Sequence, residues 1–356
     1  MSLLFALVSI GTFITIINAF TMRIVKPQTE KIINKSVAVL IPMRDEEKNV
    51  VGVISSVRES ANLASWKLVV LNDGSRDETA TLLEAQHVPS IDGKAPPEGW
   101  LGKNWACWQL AQSVDSEYLV FIDADVRLQP LAISSSISRM NEMGWDFISP
   151  YPRQLAYSFL ERLIQPLLQW SWLSSVPLRF AERARVSSMT IANGQFFIVK
   201  NSSYKAVEGH HAIKGEVLDD LRLARTLTSA GFKGGVAEGS AVAECRMYES
   251  ATQLIEGYTK SLWNAFGGLL GTLFACALLI STQVLPIVLG IAGYSIGWAA
   301  YLISSLSHAV AAIRTKSGSA NIFMHPLSTL LLVALIIESV RRKRTGNLIW
   351  RGRHLT

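Results

Sequence analysis

The chain has 356 residues, 49% of them hydrophobic and 17% charged, with a formal net charge of +6. That length exceeds what one domain usually holds, and a mean hydropathy of +0.26 is too high for an ordinary soluble protein. The positive excess is local: Arg341, Arg342, Lys343, Arg344, Arg351 and Arg353 come after Val340 with no acid among them. A formally neutral remainder excludes a nucleic-acid groove, and the tail 341–356 reads as a basic juxtamembrane segment beside anionic headgroups.

Residues 3–20 carry no charge and have the length of a membrane helix. They lack a basic n-region and a small-residue cleavage site before Arg23, so 1–22 reads as an uncleaved anchor. Arg23 and Lys26 then predict a cytosolic location for the middle of the chain. From 36 to 245 short apolar runs (36–42, 67–73, 118–124) alternate with helical patterns at 46–60 and 77–86. Such repetition predicts an α/β fold, a mostly parallel sheet flanked by helices, with ligands at the carboxyl ends of the strands.

The polar residues fall at those ends. Pro42-Met43-Arg44-Asp45-Glu46-Glu47 is a charged turn opening a helix. In Asn72-Asp73-Gly74 the glycine permits a tight turn, and Asp73 offers a carboxylate to a ribose hydroxyl or base N–H. Helix capping is the alternative for Asp73 and the reading adopted for Asp77. A phosphate loop of the Walker type needs Gly at 97 and Ser or Thr at 104, where the chain has Pro97 and Asn104. Gly102-Lys103 can still set one ammonium and backbone N–H groups against a diphosphate. No G-x-G-x-x-G comes after a strand, which excludes a dinucleotide fingerprint.

The third run delivers Asp123-Ala124-Asp125 to its carboxyl end, two carboxylates on one side of the pleat. They repel and raise each other's pKa unless a cation lies beside them, and their hard oxygens suit Mg²⁺ or Mn²⁺ with a phosphate-bearing substrate. Residues 154–180, rich in aromatics and interrupted by Pro166 and Pro177, predict a helix lying in the membrane interface through Trp170 and Trp172; a buried helix pair of the soluble domain is the alternative. Asn193-Gly194-Gln195 forms a small polar turn, with Gly209-His210-His211 further on. Asp219 and Asp220 open a helix, where one acid caps and the other faces the site as a general base. Cys107, Cys245 and Cys276 are scattered, against a disulfide framework or zinc site. The uncharged runs 265–313 and 322–337 predict membrane helices over 264–340. Three crossings there would put the basic tail outside, so a cytosolic tail with one interfacial or re-entrant segment is expected. His308 and His325 read as packing residues.

Together these residues resemble the family 2 glycosyltransferases with the GT-A fold, over about 36–263. The resemblance implies that Pro42, Arg44, Glu46 and Asp73 hold the nucleoside, and that Gly102 and Lys103 serve the diphosphate. It implies that Asp123 and Asp125 bind nucleotide and the divalent ion. Asp220 becomes the base, with Asp219 where the family more often has Glu. The family's Q-x-x-R-W signature is absent; Tyr258-Thr259-Lys260-Ser261-Leu262-Trp263 resembles a variant in which Lys260 replaces the arginine at the diphosphate. Gly102-Lys103-Asn104-Trp105-Ala106, Gly209-His210, Arg246-Met247-Tyr248 and Trp350-Arg351-Gly352-Arg353 resemble the carotenoid- and hopanoid-associated branch. That branch implies an inverting transfer of a sugar, glucose, from a UDP-sugar to a membrane isoprenoid. The acceptor would meet Asn193, Gly194, Gln195, His210, Trp170, Trp172 and Trp263. It also implies a multi-pass protein of the bacterial plasma membrane with its catalytic domain, 36–263, in the cytosol. A polyprenyl phosphate is the alternative acceptor, and an inactive GT-A scaffold is disfavoured because every expected carboxylate is present.

Overall fold

The computed structural model describes the backbone of residues 1–350 and 353–354, with side chains through Leu348. Arg351 and Gly352, and the side chains of Trp350 and Arg353, lie outside the described residues, and with them that part of the tail motif. The chain forms two compact units. A sheet unit comprises Arg23–Arg153 and Phe180–Cys245; a helical unit comprises Met1–Met22, Gln154–Arg179 and Arg246–Thr356. The domain expected over 36–263 therefore begins at Arg23, excludes 154–179 and ends at Cys245.

The strands are β1 (Val37–Met43), β2 (Trp66–Asn72), β3 (Ser90–Asp92), β4 (Tyr118–Ile122), β5 (Val126–Leu128), β6 (Phe147–Tyr151), β7 (Arg153–Gln154), β8 (Phe196–Lys200), β9 (Gly234–Glu238) and β10 (Ala243–Cys245). Seven of them form one sheet in the order β3-β2-β1-β4-β8-β6-β9. β1 runs parallel to β2 and β4, with Met43 opposite Asn72, so the charged turns after these strands emerge together. Every residue of β4 and all but Pro42 of β1 are buried, as expected for strands covered on both faces. One face packs Ala38, Leu40, Leu119 and Phe121 against Cys107 and Leu110 of the helix Gly102–Gln112 and Leu223 and Leu227 of the helix Asp219–Ser229.

The exception to parallel order positions the site. β8 runs antiparallel to β4, with Phe196 opposite Ile122. The residues before β8 therefore arrive where β4 ends, and Asp123 N–H donates to the Gln195 carbonyl at 3.1 Å. Beside it, β10 pairs antiparallel with β5, Cys245 opposite Val126, which brings a thiol to the second carboxylate of the Asp123-Ala124-Asp125 turn.

The helical unit contains four helices long and apolar enough to cross a membrane by length and composition: Ser2–Thr21, Leu269–Ile291, Ser295–Thr315 and Asn321–Arg344. The C-terminal three are of 23, 21 and 24 residues, the first of them interrupted by a π-helical turn at Ile280–Val284. Residues 154–180 supply the helix Phe159–Ser175. Ser158 Oγ accepts from Glu161 N–H at 3.3 Å and Glu161 Oε2 from Tyr157 N–H at 2.9 Å, a reciprocal cap. The helix buries Leu163, Ile164, Leu167, Trp170 and Leu173 and packs against other helices of the helical unit.

Candidate active site

A cleft opens at the carboxyl ends of β1 and β4, lined by Pro42, Lys103, Asp123, Gly194, His210, Asp219 and Asp220 over a floor of Cys107, Phe121, Phe197 and Leu223. Every lining residue belongs to the sheet unit.

Lys103 stands in the first turn of the helix Gly102–Gln112, and its Nζ lies 2.8 Å from Asp123 Oδ1 and 3.6 Å from Asp219 Oδ2. Burial alone would pull its pKa down, but Asp123 and Asp219 outweigh that and hold the ammonium well above the usual lysine range. Lys103 thus joins the first acid of the β4 turn to the first acid of the helix Asp219–Ser229.

Asp220 is held differently. Its Oδ2 accepts Gly194 N–H at 2.6 Å and its Oδ1 accepts Leu221 N–H at 2.7 Å. Burial, then the neighbouring Asp219 charge, pushes its carboxyl up to about 6, against the opposing pull of Lys103 and the two N–H donors. A Cβ on Gly194 would sit 3.1 Å from Asp220 Cβ and 3.5 Å from Lys103 Nζ, so glycine lets this turn approach the acid. Asn193 and Gln195 secure the turn. Asn193 N–H donates to Ser149 Oγ at 2.8 Å, and its Oδ1 accepts Gln195 N–H at 2.7 Å. Among these three, only Gly194 lines the cleft.

Asp125 lies deeper. Its Oδ1 is buried without a hydrogen-bond partner, while the carboxylate accepts from the Cys245 thiol. Burial, with Asp123 and Glu46 adding like charge, pushes it up to about 7. Glu46 is itself anchored by Asn49 Nδ2 at 2.8 Å. Arg127 braces the turn, its Nη1 donating to the carbonyls of Ala124 (2.8 Å) and Val126 (2.9 Å), and its Nη2 to Asn49 Oδ1 at 3.0 Å. Arg127 and Cys245 were missed in the sequence. An arginine two residues beyond an acid pair was the available signal for the first, whereas nothing local marks the second.

Arg44 and Asp73 form a pair after β1 and β2: Arg44 Nη1 donates to the Asp73 carbonyl at 3.1 Å and lies 3.7 Å from its Oδ2. Asp77 accepts from Thr79 and Glu47 N–H, both at 3.0 Å, the capping role expected of it. His210 lines the cleft, buried, its Nδ1 2.8 Å from Tyr204 Oη, and burial pulls its pKa down to about 4. Gly209 has φ +47°, and a Cβ there would meet the Tyr204 ring at 2.0 Å, which explains the Gly-His pair.

Four expected site residues belong to the helical unit and have packing roles there. Trp170 Nε1 donates to Ser307 Oγ at 2.9 Å, and Trp172 is buried. Trp263 Nε1 donates to the carbonyl of Lys260, the C-cap of the helix Ala251–Thr259, at 3.0 Å. None of the four is among the residues that line the cleft.

Among the described residues no group of three His, Cys, Asp or Glu side chains is arranged to hold a metal ion. Asp123 and Asp125 nevertheless fit a hard divalent cation whose remaining oxygens come from a ligand, since Asp125 has a buried oxygen with no partner and a carboxyl under like-charge stress.

The family model described as Glycosyl transferase family 2 matches residues 38–206. Among curated proteins, the 4,4'-diaponeurosporenoate glycosyltransferase of Staphylococcus aureus (strain MRSA252) is 25% identical over 342 residues, covering 92% of this chain and 90% of that protein. The same enzyme from strain USA300 is 24% identical over 343 residues with the same coverage. Among solved structures, the mannosyltransferase PcManGT from Pyrobaculum calidifontis, in complex with GDP-Man and Mn²⁺, is similar over 96% of this chain and 98% of its own, with a TM-score of 0.51 and 12% identity. That likeness bears out the GT-A fold.

Proposed function

We propose that this chain, whose residues 38–206 form a glycosyl transferase family 2 domain, moves a sugar from a nucleoside diphosphate to a membrane isoprenoid of the carotenoid class, inverting the anomeric carbon. The observation that carries this reading is the convergence of Asp123, Asp219, Asp220 and Lys103 on one cleft at the strand ends. The carotenoid acceptor is supported by the names of the Staphylococcus aureus relatives, which align over nine-tenths of both chains. A UDP-sugar, with glucose as the sugar, rests on the family resemblance.

Arg44 and Asp73 would take the nucleoside, and Lys103, released from Asp123 and Asp219, would meet the diphosphate as charge builds on the leaving oxygen. Asp123 and Asp125 would hold a Mg²⁺ or Mn²⁺ ion, whose chemistry is to neutralise the diphosphate. Asp220 takes the proton from an acceptor hydroxyl as its oxygen attacks the anomeric carbon opposite the departing diphosphate. Its elevated pKa suits a base working near neutrality, and the Gly194 and Leu221 N–H groups fix its direction. An acceptor carboxylate arrives already ionised and depends less on it.

A polyprenyl phosphate acceptor is the second reading. Lys103 is the one lysine or arginine among the described cleft residues, and it already bonds two carboxylates, which favours a neutral acceptor over a phosphate. The four long apolar helices would hold the protein in the membrane, its sheet unit in the cytosol. Membranes containing the full chain, given labelled UDP-glucose and a carotenoid extract, should yield a labelled, base-stable or ester-linked isoprenoid glycoside. Label appearing in a polyprenyl phosphate sugar, or in no lipid, would refute the carotenoid reading.

A further inference from the structure

The proposed transfer leaves unused a set of polar groups buried in the helical unit. Trp170, His308, His325 and Tyr301 stack as a ladder, with successive ring centroids 4.3, 4.8 and 5.1 Å apart and interplanar angles of 17°, 14° and 24°. The ladder joins three helices, Phe159–Ser175, Ser295–Thr315 and Asn321–Arg344, which pack on one another.

One side of the ladder is satisfied. Trp170 Nε1 donates to Ser307 Oγ, and His308 Nε2 and Ser304 Oγ converge on Gln283 Oε1 at 3.2 and 2.7 Å. Gln283 stands in a π-helical turn, Ile280–Val284, a local rewinding of the helix that recurs at functional sites.

The other side is open. His325 Nδ1 lies 3.1 Å from the Ile322 carbonyl and must donate its proton there, which leaves Nε2 as a lone-pair acceptor with no partner. Thr329 Oγ1, one turn further along the same helix face, has none. On the packed helix Phe159–Ser175, Gln169 Oε1 beside Trp170 and both amide atoms of Gln165 one turn before it also lack partners. All four residues are at most 3% exposed. Polar groups that serve as glue between helices bond each other. These do not.

Their chemistry selects a ligand class. No Asp, Glu, Lys or Arg is in the set, so it offers nothing to an ion. Gln165 Oε1, Gln169 Oε1, His325 Nε2 and Thr329 Oγ1 can all accept, and of the buried unpartnered atoms only Gln165 Nε2 and the Thr329 hydroxyl also donate. The complement is a neutral group that gives protons, and the flat ring ladder is an apolar wall for the chain attached to it. We propose that the stripes Gln165–Gln169 and His325–Thr329, with the Trp170–His308–His325–Tyr301 ladder, bind the hydroxyl-bearing end of a neutral long-chain lipid. This goes beyond the transfer reading and stands whether or not that reading holds.

The test uses the full chain in lipid nanodiscs with a photoreactive sixteen-carbon primary alcohol, a diazirine at mid-chain, and its methyl ether. The alcohol should label peptides from Phe159–Ser175 and Asn321–Arg344 about tenfold more efficiently than the ether, since the ether cannot donate. The double variant Gln165→Leu/Thr329→Val should lose about tenfold of that labelling with no fall in Tm, because apolar replacements remove unpaired atoms without stranding others. His325→Phe, which keeps a stacked ring, should behave likewise. Equal labelling by alcohol and ether, or undiminished labelling in the variants, would overturn the proposal, as would a fall in Tm with labelling kept, the mark of interhelical glue. Should the variants fail to fold, the alcohol-to-ether comparison on the unaltered chain decides alone. Nucleotide binding by calorimetry on the same preparation reports separately on the sheet unit.

Discussion

The two units bury polar groups under different rules. In the sheet unit most of the buried groups at the cleft are acids and a lysine that answer one another: Lys103 bridges Asp123 and Asp219, and Asp220 is held by two backbone N–H donors, with the bare Oδ1 of Asp125 as the exception. In the helical unit the buried groups around the ring ladder are neutral, and several have no partner. Water reaches an open cleft, so charge there is tolerable when paired, and its imbalance becomes chemistry. Among helices apolar enough to cross a membrane an ionised side chain would be far more costly, so amides, hydroxyls and imidazoles take its place. On the two proposals made above, polarity in the first unit is a reagent, and in the second it selects what may enter.

That contrast can be broken by substitution. The largest effect belongs to Asp220→Asn, expected to cut transfer to an alcohol acceptor by roughly 10²–10⁴-fold with nucleotide affinity nearly unchanged. Near-normal turnover in membrane assays would remove its role as base. The pH profile gives the same residue a second reading. With the carboxyl near 6 and the ionised form active, the rate should fall about tenfold per unit below that pH and level above it. Asp125→Ala should weaken nucleotide binding in the presence of Mn²⁺ by at least about tenfold, measured by calorimetry, and change it little in a chelator. The stability sign for Asp125 is the reverse of its functional one. Its folded pKa is raised, so the chelated protein loses stability as pH climbs from about 4 through about 7, and Asp125→Asn should raise Tm at pH 8. Gly194→Ala presses a methyl against Asp220 and should lower turnover about tenfold while the fold persists, checked by circular dichroism. The smallest change lies across the comparison. Ser307→Ala strands Trp170 Nε1 and removes a bond to Thr15, whose hydroxyl still donates to the Gly11 carbonyl, costing about 1–3 kcal/mol in stability with no change in donor binding. If it altered nucleotide affinity, the division of labour between units would fail.

Much of the sheet unit was legible because its signals are local. Apolar runs ending in Asp73 and Asp123 announce buried parallel strands with polar tips, and Lys103, Gly194, Asp219 and Asp220 from separate turns line one cleft. Arg127 and Cys245 were not legible, since their roles depend on β5 and β10 pairing across more than a hundred residues. The partners of the aromatic segment 154–180 were not legible for a related reason. A tryptophan looks alike at an interface and in a core, and only the fold brings Ser307 and His308 to Trp170.

Hydropathy, strand-tip acids and turn glycines by themselves determined the two kinds of unit and the acidic character of the cleft, because burial of apolar runs and repulsion between carboxylates act over a few residues. The tertiary structure alone decided that β8 enters against the grain to set Gly194 on Asp220, that Lys103 closes a bridge between two acids, and that four rings from three helices stack into one wall. Those relations join residues distant in the chain, where strand pairing and helix packing choose the partner and no local pattern records the choice.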